Sequence, residues 1–92
     1  MKFRRSPSFN KCMEGLPEKI REVAREKFKL LRENPNYPHH PSLRIKPMKG
    51  YADVWEGHVT SGYVFTFKII KVDDEIIYEF RKIGKHDIYK NP

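Results

Sequence analysis

Long hydrophobic runs are missing from this sequence: no apolar stretch approaches the roughly 20 residues needed to cross a bilayer. Cysteine is nearly missing too. Cys12 stands alone, so no internal disulfide can form, which is the usage expected of a reducing cytoplasm. No second cysteine and no Cys/His pair at ligand spacing accompanies it, so no structural metal is expected. The opening "MKFRRSPSF" is basic, but no hydrophobic stretch follows it, so it does not read as a secretory signal. Internal repeats and low-complexity tracts are absent as well.

The 92 residues suffice for one small domain, spanning 1–92, with a single core. The chain is 38% apolar and 34% charged, with a formal charge of +7. The basic excess lies in the first half: residues 1–50 hold 13 Lys and Arg against 5 Asp and Glu, residues 51–92 hold 6 against 7. Such a balance favours a polyanionic partner, either nucleic acid or an acidic protein segment.

The period of the hydrophobic pattern changes once along the chain. "KFRR" reads as a short edge strand with Phe3 inward. Ser6 precedes Pro7 at a helix start, and Phe9, Cys12 and Met13 share one side of a short helix. After "GLP", Pro17 opens a longer helix to Asn34, with Ile20, Val23, Ala24, Phe28 and Leu31 on one stripe. "NPNYPHHP" reads as a rigid extended linker because its prolines exclude helix. Beyond it the period becomes 2. "SLRIKPM" alternates Leu43 and Ile45 with Arg44 and Lys46, and "MKGYAD" reads as a turn. "DVWEGHVT" sets Val54, Glu56 and His58 against Trp55, Gly57 and Val59. "YVFTFKIIK" puts Phe65, Phe67 and Ile69 on one face, "VDDE" turns, and "EIIYEFRKIG" returns. The expected fold is α+β, with two N-terminal helices packed on one face of a small, mainly antiparallel twisted sheet.

The other face carries the candidate chemistry. With Trp55 and Val59 in the core, Glu56 and His58 point the opposite way, as do Val64, Thr66 and Lys68 on the next strand. Lys46 and Lys49 come from the preceding strand and turn, and His86 and Tyr89 from the segment after the last strand. A carboxylate, two imidazoles, lysines and a phenol suit metal-independent RNA cleavage. The attacking 2′-hydroxyl needs a base, the leaving 5′-oxygen an acid, and the phosphorane needs cations. Imidazole can take either proton role near neutral pH. An ordinary solvated face would use the same residue types.

"HPSLRIKPMKG…DVWEGHVTSGYVFTFKI…IIYEFRKIGKHDIYKNP" resembles the RelE superfamily of type II toxin–antitoxin toxins. "LPEKIREVAREKFKLLRENP" is similar to that family's second helix, and the resemblance spans residues 2–92. It implies a cytoplasmic α+β toxin, an mRNA interferase that enters the ribosomal A site and cuts mRNA by 2′-hydroxyl attack. It also implies a cognate antitoxin that blocks the toxin, and the residue pattern above leaves no cofactor, metal or membrane expected. Residue by residue, Glu56 and His58 fall where members place bases and phosphate binders. His86, after "IGK", falls where members hold a general acid, and Tyr89 near an aromatic that orients the nucleotide. Lys46 and Lys49 match a basic region that grips phosphate. Many members read Tyr-Arg where this chain reads Tyr63-Val64. The resemblance therefore leaves three outcomes open. Arg44, Lys68 or Arg81 could replace that arginine. The enzyme could be weak or decayed into a basic RNA- or protein-binding domain. The function could have moved to inhibition by binding, as in the related ParE toxins that poison gyrase.

Overall fold

Proline at a first helical position costs nothing, because its missing N–H would be unpaired there anyway. The computed structural model, which describes residues 2–34 and 40–92, uses Pro7 in this way. Helix α1 (Pro7–Glu14) is capped by Ser6, whose Oγ accepts from the Phe9 amide at 3.1 Å. Phe9 and Met13 lie one turn apart on its buried side. Helix α2 (Glu18–Glu33) starts after Pro17 and buries Ala24, Phe28 and Leu31, with Ile20 partly covered and Val23 exposed at the edge of the stripe.

Five strands form one sheet: β1 (Lys2–Arg5), β2 (Lys46–Pro47), β3 (Val54–His58), β4 (Val64–Val72) and β5 (Glu75–Gly84). Their spatial order is β1-β5-β4-β3-β2, antiparallel throughout except for β1 on β5. The fold is α+β, with both helices on one face of a mainly antiparallel sheet, as the change of period predicts. The core between the layers is aromatic. The Phe28 ring meets Phe65 edge-on at 5.2 Å and Phe80 at 4.9 Å, and Phe9 closes on both Phe28 and Phe80. Fully burying one such ring contributes about 1.5–3 kcal/mol. Trp55 packs against this cluster while remaining half-buried.

At the end of β4 the "VDDE" turn places Asp73 and Asp74 at φ 49° and 66°. Two left-handed residues give the turn the twist that matches paired strands.

Three expectations need correction. The alternating "SLRIKPM" predicts a strand, yet Pro41–Leu43 form a 3₁₀ turn and only Lys46–Pro47 pair with β3. Pro41 and Pro47 limit the main-chain donors, and Arg44 takes a left-handed conformation at φ 47°. The alternation also predicts an open far face carrying Val64 and Thr66, yet both are 0% exposed. The chain after β5 folds back onto this face as a 3₁₀ helix, His86–Lys90, and Thr66 Oγ1 donates to the Pro92 main-chain oxygen at 3.3 Å. Ile69, finally, shares the parity of Phe65 and Phe67 but is exposed rather than in the core. The extended linker expected over "NPNYPHHP" lies, for residues 35–39, outside the described residues.

Strand β5 also departs from simple alternation. Thr66 pairs with Lys82 and Phe67 with Phe80, so Arg81 is an extra residue in a β-bulge. The bulge lets Phe80 and Ile83, at odd spacing, both enter the core. Ser6 secures it: its amide donates to the Phe80 carbonyl at 3.0 Å and its hydroxyl to the Arg81 carbonyl at 3.1 Å.

Candidate active site

Strand register sets the first half of the site. Glu56 and His58 are i and i+2 on β3, so they share a face, opposite Thr66 and Val64 of β4. Edge strand β2 brings Lys46 beside Glu56, and Lys46 Nζ lies 3.5 Å from Glu56 Oε1. The 3₁₀ turn before β2 is held by His40, whose Nδ1 accepts from the Ser42 amide at 3.2 Å. This turn ends on Arg44, and left-handed backbone at a non-glycine residue costs roughly 1–2 kcal/mol.

The return segment supplies the second half. His86 and Tyr89, on one 3₁₀ helix, meet edge to face with ring centroids 5.6 Å apart. His86 also meets His58 edge to face, at 6.1 Å. Together Arg44, Ile45, Lys46, Glu56, His58, His86 and Tyr89 line a cleft of about 570 Å³. All four residues assigned acid–base or orienting roles, and two of the five assigned to phosphate, converge there.

The other three cations lie elsewhere. Lys49 sits exposed in the turn beyond β2, outside the cleft lining. Lys68 is opposite Val54 on β3 and Glu79 on β5, farther along the sheet. Arg81 Nε donates to the Pro92 main-chain oxygen at 3.0 Å.

Burial is the main force on the His58 imidazole and drives its pKa below the ordinary 6.5, aided by the positive Arg44 and by His86. A hydrogen bond with the Thr60 backbone and the Glu56 charge oppose the shift. His58 is therefore neutral at pH 7 and able to accept a proton. Burial, and then the Glu56 charge, push the Tyr89 phenol up to about 12. It stays protonated, and its buried hydroxyl has no hydrogen-bond partner among the described residues. A buried donor without an acceptor costs about 1–3 kcal/mol.

Sequence reading misses Lys27. It sits on α2 beside the core residue Phe28, yet its Nζ donates to the Val59 carbonyl at 2.5 Å, and burial lowers its pKa. With Ser42, Thr60 and Ser61 it lines a second hollow that shares Arg44 and His58 with the cleft. Helical periodicity places Lys27 at the border of the apolar stripe, and nothing in the sequence ties it to β3. Among the described residues no group of three or more His, Cys, Asp or Glu side chains could hold a metal ion. No described helix is long and apolar enough to cross a membrane.

The chain has the fold of solved RelE, YafQ and YoeB/ParE toxins. It covers 97% of its length in common with a chain of the RelB–RelE antitoxin–toxin complex from Methanococcus jannaschii, spanning 99% of that chain, at 22% identity and a TM-score of 0.70. Against YafQ from E. coli the TM-score is 0.72 at 16% identity, over 94% of this chain and 93% of that one. The YoeB/ParE toxin from Agrobacterium tumefaciens matches at 0.70 and 20% identity, over 94% and 99%. No protein-family model and no curated protein sequence matches the chain.

Proposed function

We propose that this protein is the toxin of a type II toxin–antitoxin pair, a metal-independent endoribonuclease that cuts mRNA in the ribosomal A site. One observation carries the reading: two imidazoles, a carboxylate, two cations and a phenol from three separate stretches of the chain line one cleft. In this reading neutral His58 takes the proton of the 2′-hydroxyl, which attacks the adjacent phosphorus. His86 gives a proton to the leaving 5′-oxygen, so the products are a 2′,3′-cyclic phosphate and a 5′-hydroxyl. Arg44 and Lys46 offset the charge that builds on the phosphorane oxygens, the role of the arginine in family members that read Tyr-Arg where this chain reads Tyr63-Val64. Glu56 holds Lys46, and the Tyr89 ring, edge-on to His86, orients the nucleotide. The partner that restrains this activity is a cognate antitoxin, the arrangement named for the RelB–RelE antitoxin–toxin complex of Methanococcus jannaschii and the RelBE toxin–antitoxin complex of E. coli, which share the fold.

The test is a primer-extension map of mRNA 5′-ends after brief expression, with His86→Ala beside the wild type. New ends inside translated codons, lost in the variant, are expected. Growth arrest with no new ends, accompanied by a DNA-damage response, would replace this reading with inhibition of gyrase by binding.

A further inference from the structure

The 3₁₀ helix that carries His86 and Tyr89 has little of its own to hold it. No side chain caps it, and the backbone bonds at its two ends are Ile88 N–H to the Lys85 carbonyl and Asn91 N–H to the Ile88 carbonyl, both 3.1 Å. Tyr51 Oη reaches the Lys90 carbonyl only at 3.4 Å and is exposed. The strong hold lies just beyond, at Pro92, which is buried. Its main-chain oxygen accepts two hydrogen bonds from the sheet: Arg81 Nε at 3.0 Å and Thr66 Oγ1 at 3.3 Å. Thr66 is fully buried, and a bond from a charged donor is roughly twice as strong as a neutral one.

Resting on the nuclease reading, we propose that Arg81 is a positioning residue: with Thr66 it clamps the Pro92 oxygen and so sets where His86 and Tyr89 stand relative to His58. The bulge explains why this residue can do so. An ordinary strand would give Arg81 a cross-strand partner and the parity of Ile83. As the extra residue opposite the Thr66–Phe67 step, it reaches the same oxygen as Thr66. Ser6 fixes the bulge from behind through the Phe80 and Arg81 carbonyls, so the clamp stands on a rigid base. Displacing a catalytic group by about 1 Å can cost on the order of 10²-fold in rate.

The experiment compares wild type, Arg81→Met, which removes the donors and keeps the stem, and Arg81→Lys, which keeps a donor. Two readouts are taken: NMR contacts between the His86 ring and the Tyr89 and His58 rings, and single-turnover cleavage of ribosome-bound mRNA. Arg81→Met is expected to lose the ring contacts and to cut about 10- to 100-fold more slowly at saturating substrate, with KM little changed. Arg81→Lys is expected to recover most of both. Intact ring contacts with a raised KM and a weaker salt dependence would make Arg81 a phosphate contact and overturn the proposal. The ring contacts report on the clamp even in a protein that cuts no RNA, so failure of the nuclease reading is seen separately. If Arg81→Met does not fold, Thr66→Val removes the other donor to the same oxygen. Unchanged ring contacts there would equally overturn the clamp.

Discussion

The His58 and His86 rings meet edge to face, with centroids 6.1 Å apart, although one stands on β3 and the other follows β5. Only the fold joins them, and His86 is exposed while His58 is half-buried. Replacing His86 by Ala is therefore expected to leave the melting temperature within a degree or two of wild type, because its ring leaves no cavity. Cleavage of ribosome-bound mRNA is expected to fall roughly 10²- to 10⁴-fold, the usual contribution of one acid or base. A well-folded variant that cuts at the wild-type rate would remove His86 from the chemistry.

The environment of His58 gives a pH dependence with a definite sign. Its folded pKa lies below 6.5, through burial first and the Arg44 charge next. Between that lowered value and 6.5 the unfolded chain binds more protons than the folded one, so stability falls as pH drops through this window. The acidic limb of the cleavage profile is expected below pH 6.5 for the same reason. Arg44→Gln removes one of the groups that lower the pKa, so the His58 ring-proton titration is expected to move upward. A downward shift, or none, would contradict the assignment.

Val64 shows why an alternating pattern can mislead. Its parity puts it on the face of His58, and the resemblance suggests that an arginine there would be welcome. At 0% exposure a guanidinium would be buried without a carboxylate opposite, since its cross-strand neighbours are His58 and Gly84. Val64→Arg is expected to lower stability by about 3 kcal/mol or more in denaturant melts. A melt equal to wild type would mean that the return segment leaves this face readily.

Gly57 pairs with Phe65, and the ring lies over it: a Cβ at this position would stand 2.4 Å from Phe65 Cζ. The ring is fully buried and braced edge-on by Phe28, so it cannot step aside. Gly57→Ala is expected to cost about 1–3 kcal/mol, the usual penalty for overpacking. Equilibrium unfolding measures it directly.

Salt separates the cations inside the cleft from those outside. Each lysine– or arginine–phosphate contact adds about one unit to the slope of log affinity against log salt. Arg44→Ala and Lys46→Ala are each expected to flatten this slope for ribosome or RNA binding. Lys49→Ala, outside the cleft lining, is expected to change it less. Equal effects at all three positions would indicate diffuse attraction rather than a bound phosphate.

Much of this was legible in the residues themselves. The period of 3.6 over α2 and of 2 over β3 and β4 fixed the two layers, and parity alone put Glu56 and His58 on one face. The pattern failed where backbone chemistry overrode it. Leu43 and Ile45 alternate as in a strand, but the prolines beside them and the left-handed Arg44 make a turn. The odd spacing of Phe80 and Ile83 conceals a bulge, and parity counted through it misplaces Arg81. The burial of Val64 and Thr66 depends on a segment more than twenty residues downstream. Local pattern carries no trace of such a return.

The parallel pairing of β1 with β5 sets the order in which the molecule can assemble. Phe3 finds Tyr78, and Ser6 finds Phe80, across almost the whole chain. As the polypeptide leaves its own ribosome, α1, α2 and the β3–β4 hairpin can form early, but the first strand has no neighbour until the last one emerges. Loop closure over that distance must precede any gain from the pairing, which makes it a slow, late step. The bulge that carries Arg81 rests on Ser6, so completion of the cleft waits on the same event. A half-made copy therefore has its β3 residues in place and an incomplete cleft, which closes only when the last strand pairs with the first.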